Sequence, residues 1–167
     1  MTSLSISILP EAPEHSAAIE SLHDRGFGPG RFARTAFRLR EGVRPTPGLS
    51  YVALVGTLLV GSVRLSPIRI GGVPALLLGP LAVEPAFMNR GIGTELMKTA
   101  LDAAREQGHA LALLVGDEPF YAKSGFTRIP HGKVRLPGPV DPDRLLVAEL
   151  KPGVFADVEG LAEPYFG

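Results

Sequence analysis

The sequence has no cysteine and no tryptophan, and its 17 basic and 17 acidic residues give no formal net charge. The absence of cysteine excludes disulfide bonds, zinc–thiolate sites and a cysteine nucleophile. The balanced charge argues against general affinity for nucleic acid, which is usually bound through a basic excess. No apolar run approaches the roughly 18 residues of a membrane span, and residues 1–10 lack the basic segment of a secretory signal. We therefore expect a cytoplasmic protein with neither a nucleic-acid nor a membrane partner.

Hydrophobic residues make up 45% of the 167-residue chain, which is sufficient for a buried core without covalent cross-links. The 20 glycines and 16 prolines stay below the roughly 25–30% that marks low-complexity sequence. No repeat and no long linker divides the chain, and its length is typical of one domain. We therefore expect a single domain over residues 1–167.

The pattern of apolar residues predicts strands that alternate with helices. Period-two alternation and β-branched runs predict strands, whereas apolar positions three or four residues apart predict helices. The predicted strands are 3–9, 50–55, 58–65, 73–83, 109–115, 126–129 and 144–150, and the predicted helices run from Pro13 to Gly26 and over 31–41, 91–107 and 118–124. Gly79-Pro80 interrupts the strand 73–83 and predicts an edge strand, a bulge or a splayed strand. This order predicts an α+β domain with a mixed central sheet that contains one parallel strand pair.

The clearest chemical signal is a glycine-containing turn, Asn89-Arg90-Gly91-Ile92-Gly93-Thr94, between a strand and the longest helix. The first turn of a helix leaves its N–H groups without intrahelical partners, and the helix dipole favours an anion there. Gly91 and Gly93 have no Cβ, so an anion can approach these amides closely, and Arg90 adds a positive charge. The combination suits a pyrophosphate, and an empty structural turn is the alternative. A Walker loop is excluded because Thr94-Glu95 follows Gly93, and a dinucleotide fingerprint lacks its third glycine at Leu96.

A second motif lies downstream, where Tyr121 stands four residues before Gly125-Phe126. Together with Met88-Asn89-Arg90-Gly91-Ile92-Gly93, in this order and on these predicted elements, it resembles the two signatures of the GCN5-related N-acetyltransferase (GNAT) family. The acetyl-CoA motif of that family is Gln/Arg-x-x-Gly-x-Gly/Ala, so Met88 departs from it. Three further segments resemble the YhbS-type branch of the family: 79–83, 114–117 and 136–139.

The resemblance implies a mixed sheet of about seven strands with about four helices, splayed between the fourth and fifth strands. It implies that acetyl-CoA is the donor, that CoA is the co-product and that the acyl group passes directly to a primary amine of a small molecule, protein or peptide. The backbones of Leu81, Ala82 and Val83 would pair with the pantetheine arm. The other implied cofactor-binding residues are Asn89, Arg90, Gly91, Ile92, Gly93 and Thr94 for the pyrophosphate, and Asp117 near the pantetheine arm.

Two residues are candidates for catalysis. The resemblance places Tyr121 near the thioester sulfur, where its hydroxyl would protonate the leaving thiolate; a packed aromatic is the alternative. Glu84, directly after the strand, is a candidate general base acting through water, and a solvated charge at a strand end is the alternative, which the sequence favours. His131 is a further candidate for lining the acceptor side. No histidine has metal-ligand spacing, so we expect no metal site.

Acceptor recognition is less defined by the sequence. Arg34 and Arg38, one helical turn apart in the basic run Arg31, Arg34, Arg38 and Arg40, predict an anion site, with a solvated helix face as the alternative. A non-catalytic acyl-CoA-binding or sensor module remains the second function class, and a nucleotide-binding oxidoreductase is the third. A homodimer through the C-terminal strand or the tail 154–167 is a further expectation, since an open sheet edge invites pairing.

Overall fold

A large mixed sheet with helices on both faces forms the architecture of the computed structural model, which describes residues 5–27, 39–44, 46 and 48–166. The described strands are β1 (Ile6–Pro10), β2 (Tyr51–Val55), β3 (Leu58–Ile70), β4 (Val73–Val83), β5 (Leu111–Val115), β6 (Thr127–Arg128), β7 (Val134–Arg135), β8 (Leu145–Glu149) and β9 (Gly160–Pro164). The described α-helices are α1 (Ser16–Phe27), α2 (Ile92–Glu106) and the single turn α3 (Glu118–Tyr121), which a 3₁₀ turn, Ala122–Ser124, continues.

The sheet order is β1-β2-β3-β4-β5-β8-β6, and β9 pairs with both β3 and β7. Strands β1 to β4 form an antiparallel meander, β5 runs parallel to β4, and β8 runs antiparallel to β5. The predicted α+β fold and the parallel pair are confirmed. The described part of the chain has nine strands instead of about seven, because the loop 131–143 contains β7 and the tail contains β9.

Strand β4 carries the irregularity that shapes the site. Val63 of β3 pairs with Leu81 and Leu65 pairs with Leu78, so Arg64 alone faces Gly79 and Pro80. This is the predicted bulge. The parallel pairing of β4 with β5 is confined to 76–77 and 112–113, and the two strands separate beyond it. The predicted splay between the fourth and fifth strands is therefore confirmed.

Helix α2 packs on one face of the sheet through a continuous apolar stripe. The stripe consists of Ile92, Leu96, Met97, Ala100, Leu101 and Ala104, all buried. Gly61 of β3 lies beneath it, and a Cβ there would stand 2.9 Å from Cδ1 of Leu96. The close approach of helix and strand holds the N-terminus of α2 beside the end of β4, which positions the glycine-containing turn at the gap.

Other predicted boundaries differ from the structure. Helix α1 continues through Gly26 to Phe27 instead of stopping at Gly26. Of the predicted helix 31–41, residues 39–42 form a turn, while Arg31, Arg34 and Arg38 lie outside the described residues. Strand β3 extends to Ile70 because Pro67 directs its carbonyl towards the tail, where it accepts from the Tyr165 N–H at 3.3 Å. Pro67 has no N–H, but because this side of the residue faces the tail, no hydrogen bond between β3 and β4 is lost.

The tail folds back onto the sheet. Strand β9 runs antiparallel to 68–70 of β3 and parallel to β7. Strand β9 therefore has a partner strand within the chain on each side. A homodimer through the C-terminal strand or the tail stays a prediction. Among the described residues, no helix has both the length and the apolar character needed to cross a bilayer.

Candidate active site

The N-terminus of α2 presents a set of backbone amides. The Glu95 N–H is bonded to the Gly91 carbonyl at 3.0 Å, so the N–H groups of Ile92, Gly93 and Thr94 precede the first intrahelical bond. No side chain caps them, and the cap residue is Gly91. The absence of a cap leaves these donors available for an external acceptor.

A cleft of about 530 Å³, which we call the phosphate cleft, opens in front of these amides. Its wall includes Asn89, Gly91, Ile92, Gly93 and Thr94, as the sequence predicted. A Cβ at Gly93 would stand 3.4 Å from Cζ of Phe120, so the missing side chain leaves open space between helix and cleft. Backbone donors, a helix N-terminus and a missing side chain are a donor set that suits a diphosphate.

Arg90 was also predicted to bind the pyrophosphate, and its side chain lies over Phe87, a residue of the cleft wall. Its guanidinium carbon stands 5.6 Å from the centroid of the Phe87 ring, and Arg90 is absent from the described lining of the phosphate cleft. Met88 and Lys123 line the cleft instead. Among the described residues of the cleft wall, Lys123 is the one with a cationic side chain.

Strand β4 offers its free edge to the gap through alternate residues. The Glu84 N–H is bonded to the Val60 carbonyl of β3 at 2.7 Å. By the two-residue period of a strand, Ala82 also directs its peptide groups towards β3, whereas Leu81 and Val83 direct theirs into the gap. The predicted pairing with an extended ligand therefore falls to Leu81 and Val83. The peptide groups of Ala82 face β3, and its side chain is buried under α1, so the predicted role of Ala82 receives no support from the register.

Tyr121 stands at the centre of the site. Its ring makes edge contacts with Phe120, at a centroid distance of 4.9 Å, and with Phe126, at 6.2 Å. Gly116 makes room for it, because a Cβ at Gly116 would overlap the ring. Burial, reinforced by Asp117, raises the pKa of the Tyr121 phenol, which Arg144 and Arg40 oppose. The phenol is therefore protonated at neutral pH and can donate a proton.

A second cleft of about 550 Å³ lies between the separating strands, and we call it the transfer cleft. Leu78, Gly79 and Pro80 line it from β4, and Leu114 and Val115 line it from β5. Leu81, Phe120 and Tyr121 line both clefts. The two clefts therefore meet at the tyrosine and form a groove from the α2 amides to the gap.

The transfer cleft contains a residue that no motif identified. Arg40, which follows the fully buried Leu39, lines the cleft, and its Nη2 approaches Gly79. The sequence showed that residues 31–41 are rich in arginine. It did not show that Arg40 lies beside Gly79 of β4, almost 40 residues away. Lys123 was equally unmarked, although it lies two residues after Tyr121 inside the second motif.

Three other predicted residues are placed less centrally. Glu84 forms an ion pair with Arg25 at 2.6 Å and lies outside the described lining of both clefts, so the structure does not bring it to Tyr121. His131 contacts Asp143 at 3.2 Å on the surface and lines a separate depression in the loop after β6. Asp117 does line the transfer cleft, where Arg144 lies 3.4 Å from its carboxylate.

Comparison with known proteins shows similarity in both sequence and fold. The sequence profile of the acetyltransferase (GNAT) domain matches residues 47–128, which include the glycine turn and Tyr121. YhbS of Escherichia coli K12, described as an uncharacterized N-acetyltransferase, is 29% identical over 155 residues, which cover 92% of each chain. The crystal structure of E. coli YhbS in complex with CoA matches with a TM-score of 0.83 at 27% identity and covers 99% of this chain and 92% of that one.

A more distant match is the crystal structure of a GNAT family acetyltransferase from Brucella melitensis in complex with acetyl-CoA. It has a TM-score of 0.63 at 26% identity and covers 86% of this chain and 96% of the other. The resemblance suggested by the two motifs is thus confirmed over nearly the whole chain. With its sheet splayed at the fourth strand and its glycine turn at the start of α2, the chain is similar over nearly its whole length to N-acetyltransferases of the GNAT family, and residues 47–128 match the acetyltransferase domain of that family.

Proposed function

We propose that the protein transfers an acetyl or other short acyl group from acetyl-CoA directly to a primary amine. The observation that carries the proposal is the groove in which the phosphate cleft and the transfer cleft meet at Tyr121. The amides of 92–94 bind the diphosphate, the backbone edges of Leu81 and Val83 pair with the pantetheine arm, and the thioester lies beside Tyr121. The CoA and acetyl-CoA complexes of the two relatives support this assignment.

The transfer follows from these positions. The neutral amine nitrogen attacks the thioester carbonyl carbon, and negative charge develops on the carbonyl oxygen. A backbone N–H of Leu81 or Val83, which faces the gap, stabilises this oxyanion. The carbon–sulfur bond then breaks, the departing thiolate takes the Tyr121 proton, and the tyrosinate regains a proton from the amine nitrogen through water. The net products are an amide and CoA thiol.

The experiment is a thiol-release assay with acetyl-CoA and a panel of primary amines, combined with calorimetry of CoA binding. We expect CoA to bind and at least one class of amine to accelerate thiol release above the rate without acceptor. Binding without accelerated release by any amine would identify the protein as an acyl-CoA-binding module. Absence of binding would contradict the proposed site itself.

A further inference from the structure

The transfer cleft has a cationic group whose position is set by the core. Leu39 is fully buried in the cluster on one face of the sheet and anchors the segment that carries Arg40. The Arg40 carbonyl accepts a hydrogen bond from the Val43 N–H at 3.0 Å, which closes a turn directly after it. Core packing and a backbone turn therefore fix the backbone of Arg40 at the edge of the cleft, and its side chain lines the cleft.

The bulge in β4 makes room for this guanidinium. A Cβ at Gly79 would stand 2.6 Å from Nη2 of Arg40, so a side chain at this position would require the guanidinium to shift. Gly79 also has a φ of 128°, a conformation that L side chains rarely adopt. The same glycine thus shapes the gap between the strands and accommodates the cation beside it.

The other charges of the transfer cleft lie at its rim. Asp117 and Arg144 are exposed and lie 3.4 Å apart, and the exposed Asp141 accepts from the Asp143 N–H at 2.9 Å. Exposed charges are strongly screened by water and salt, whereas a partly buried one is screened less. Among the described charged residues that line the cleft, Arg40 is less exposed than Asp117, Asp141 and Arg144, so its charge is screened least.

The charge of Arg40 persists at neutral pH. Burial and the neighbouring Arg64 lower the pKa of Arg40 to about 9, and Tyr121 opposes this change. Arg64 is itself bound to Glu11 by two hydrogen bonds of 2.9 and 3.1 Å. The guanidinium is consequently a protonated donor of paired, planar N–H groups, the geometry that matches a carboxylate.

We propose that the acceptor is a small amine with a carboxylate next to its reacting amino group, and that Arg40 binds this carboxylate. The inference rests on the proposed function and specifies its substrate class. Arg40 lines only the transfer cleft, across Tyr121 from the phosphate cleft, so an acceptor held by its carboxylate lies on the side opposite the CoA diphosphate. A short acceptor then has its amino group directed towards the thioester beside Tyr121.

The kinetic test pairs each of several α-amino acids with its own carboxamide, using the full chain and acetyl-CoA. Arg40→Gln should lower kcat/KM for the amino acids about tenfold or more, mainly through KM, and change it little for the carboxamides. Comparing the variant with wild type for each acceptor removes the difference in amine basicity between acid and amide. An equal loss of kcat for acids and amides would overturn the proposal. It would instead show that Arg40 stabilises the negative charge that develops on the thioester carbonyl oxygen during the reaction.

A binding test is independent of turnover. N-acetyl amino acids and their carboxamides are titrated into protein saturated with CoA. We expect wild type to bind the acids about tenfold or more tightly, Arg40→Gln to lose this preference and Arg40→Lys to retain part of it. Arg105→Gln, which removes a cation from the exposed end of α2, is the matched control and should keep the full preference.

The outcomes separate the two proposals. Equal affinity for acid and amide in wild type overturns the carboxylate site, even when thiol release shows that the protein is an acetyltransferase. A preference for acids that is unchanged in Arg40→Gln overturns the role of Arg40. A carboxylate preference that depends on Arg40, in a protein that releases no thiol with any amine, supports the binding site and contradicts the proposed transfer. The melting temperature and CoA affinity of each variant establish that it is folded.

Discussion

At the scale of single residues, burial determines the protonation state of the candidate proton donor, Tyr121. Tyr121 is held between Phe120 and Phe126, and its surroundings favour the neutral phenol. Glu84 shows the opposite situation, because its carboxylate is engaged by Arg25. The phenol therefore keeps the proton that its predicted role as an acid requires, whereas Glu84, the predicted base, is engaged in an ion pair.

Tyr121→Phe is expected to lower kcat by up to about 10²–10⁴-fold, the usual range for general acid–base assistance, with CoA affinity nearly unchanged. Because the pKa of Tyr121 is raised above its ordinary value, the phenol keeps its proton throughout the neutral range. The ratio of wild-type to variant kcat should therefore stay constant between about pH 6 and pH 9. Steady-state kinetics across that range test this, and wild-type turnover in the variant would remove Tyr121 from the mechanism.

Gly116→Ala is expected to displace the Tyr121 ring, since the added methyl group would overlap it. Such overpacking typically costs about 1–3 kcal/mol of stability. We expect kcat to fall because the hydroxyl moves away from the thioester. In a Tyr121→Phe background the same substitution should still lower the melting temperature but reduce kcat little further. Full additivity of the two kcat effects would show that Gly116 acts by another route.

At the scale of elements, the strand–turn–helix unit from β4 to α2 creates the binding surface. The strand contributes alternate backbone groups at Leu81 and Val83, and the helix contributes its unbonded first-turn amides. The edge of β4 is free only where β5 has separated from it, beyond the paired residues 76–77. The bulge at Gly79-Pro80 lies in β4 between the paired residues 76–77 and these free backbone groups.

Gly93→Val is expected to weaken CoA binding by at least about tenfold, since its side chain would occupy the space in front of the amides and remove charge-assisted hydrogen bonds. The melting temperature should also fall, because a Cβ there already lies 3.4 Å from Phe120 and the two Cγ atoms of valine must fit beside it. Calorimetry and thermal unfolding without ligand measure the two effects. Gly26→Val is the matched control, a helical glycine with nothing within 4 Å of its Cβ position, and it should leave CoA affinity unchanged. Equal CoA affinity in Gly93→Val and wild type would place the diphosphate elsewhere.

At the scale of the whole molecule, the C-terminal strand closes the sheet beyond the end of β2. Strand β9 pairs with the far end of β3 and joins β7 to it. The turn between β3 and β4 contacts the residue before this strand, because Gly71 packs directly on the Glu159 carbonyl. The last part of the chain is thereby connected to the hairpin whose second strand forms the site.

Gly71→Ala should lower the melting temperature clearly more than Gly72→Ala. Both glycines have a positive φ, 54° and 85°, so the backbone strain of alanine is similar at the two positions. Only at Gly71 does a Cβ meet backbone, the Glu159 carbonyl, whereas at Gly72 nothing lies within 4 Å. Thermal unfolding of the two variants measures the difference. Equal melting temperatures would show that the tail contact contributes nothing to stability.

The sequence by itself determined the local chemistry of this protein. A strand, a glycine turn and an amphipathic helix in succession predicted the diphosphate site, and Gly79-Pro80 predicted the break in β4. These features were readable because strand and helix periodicity, helix ends and glycine geometry depend on neighbouring residues.

Only the tertiary structure decided which distant groups share the site. It placed Arg40 against Gly79, paired Glu84 with Arg25 across 59 positions and closed β9 onto β3. It also selected Leu81 and Val83, and not Ala82, to face the gap, since that choice follows from the register with β3. Contacts of this kind depend on strand register and sheet order, which no local pattern of residues specifies.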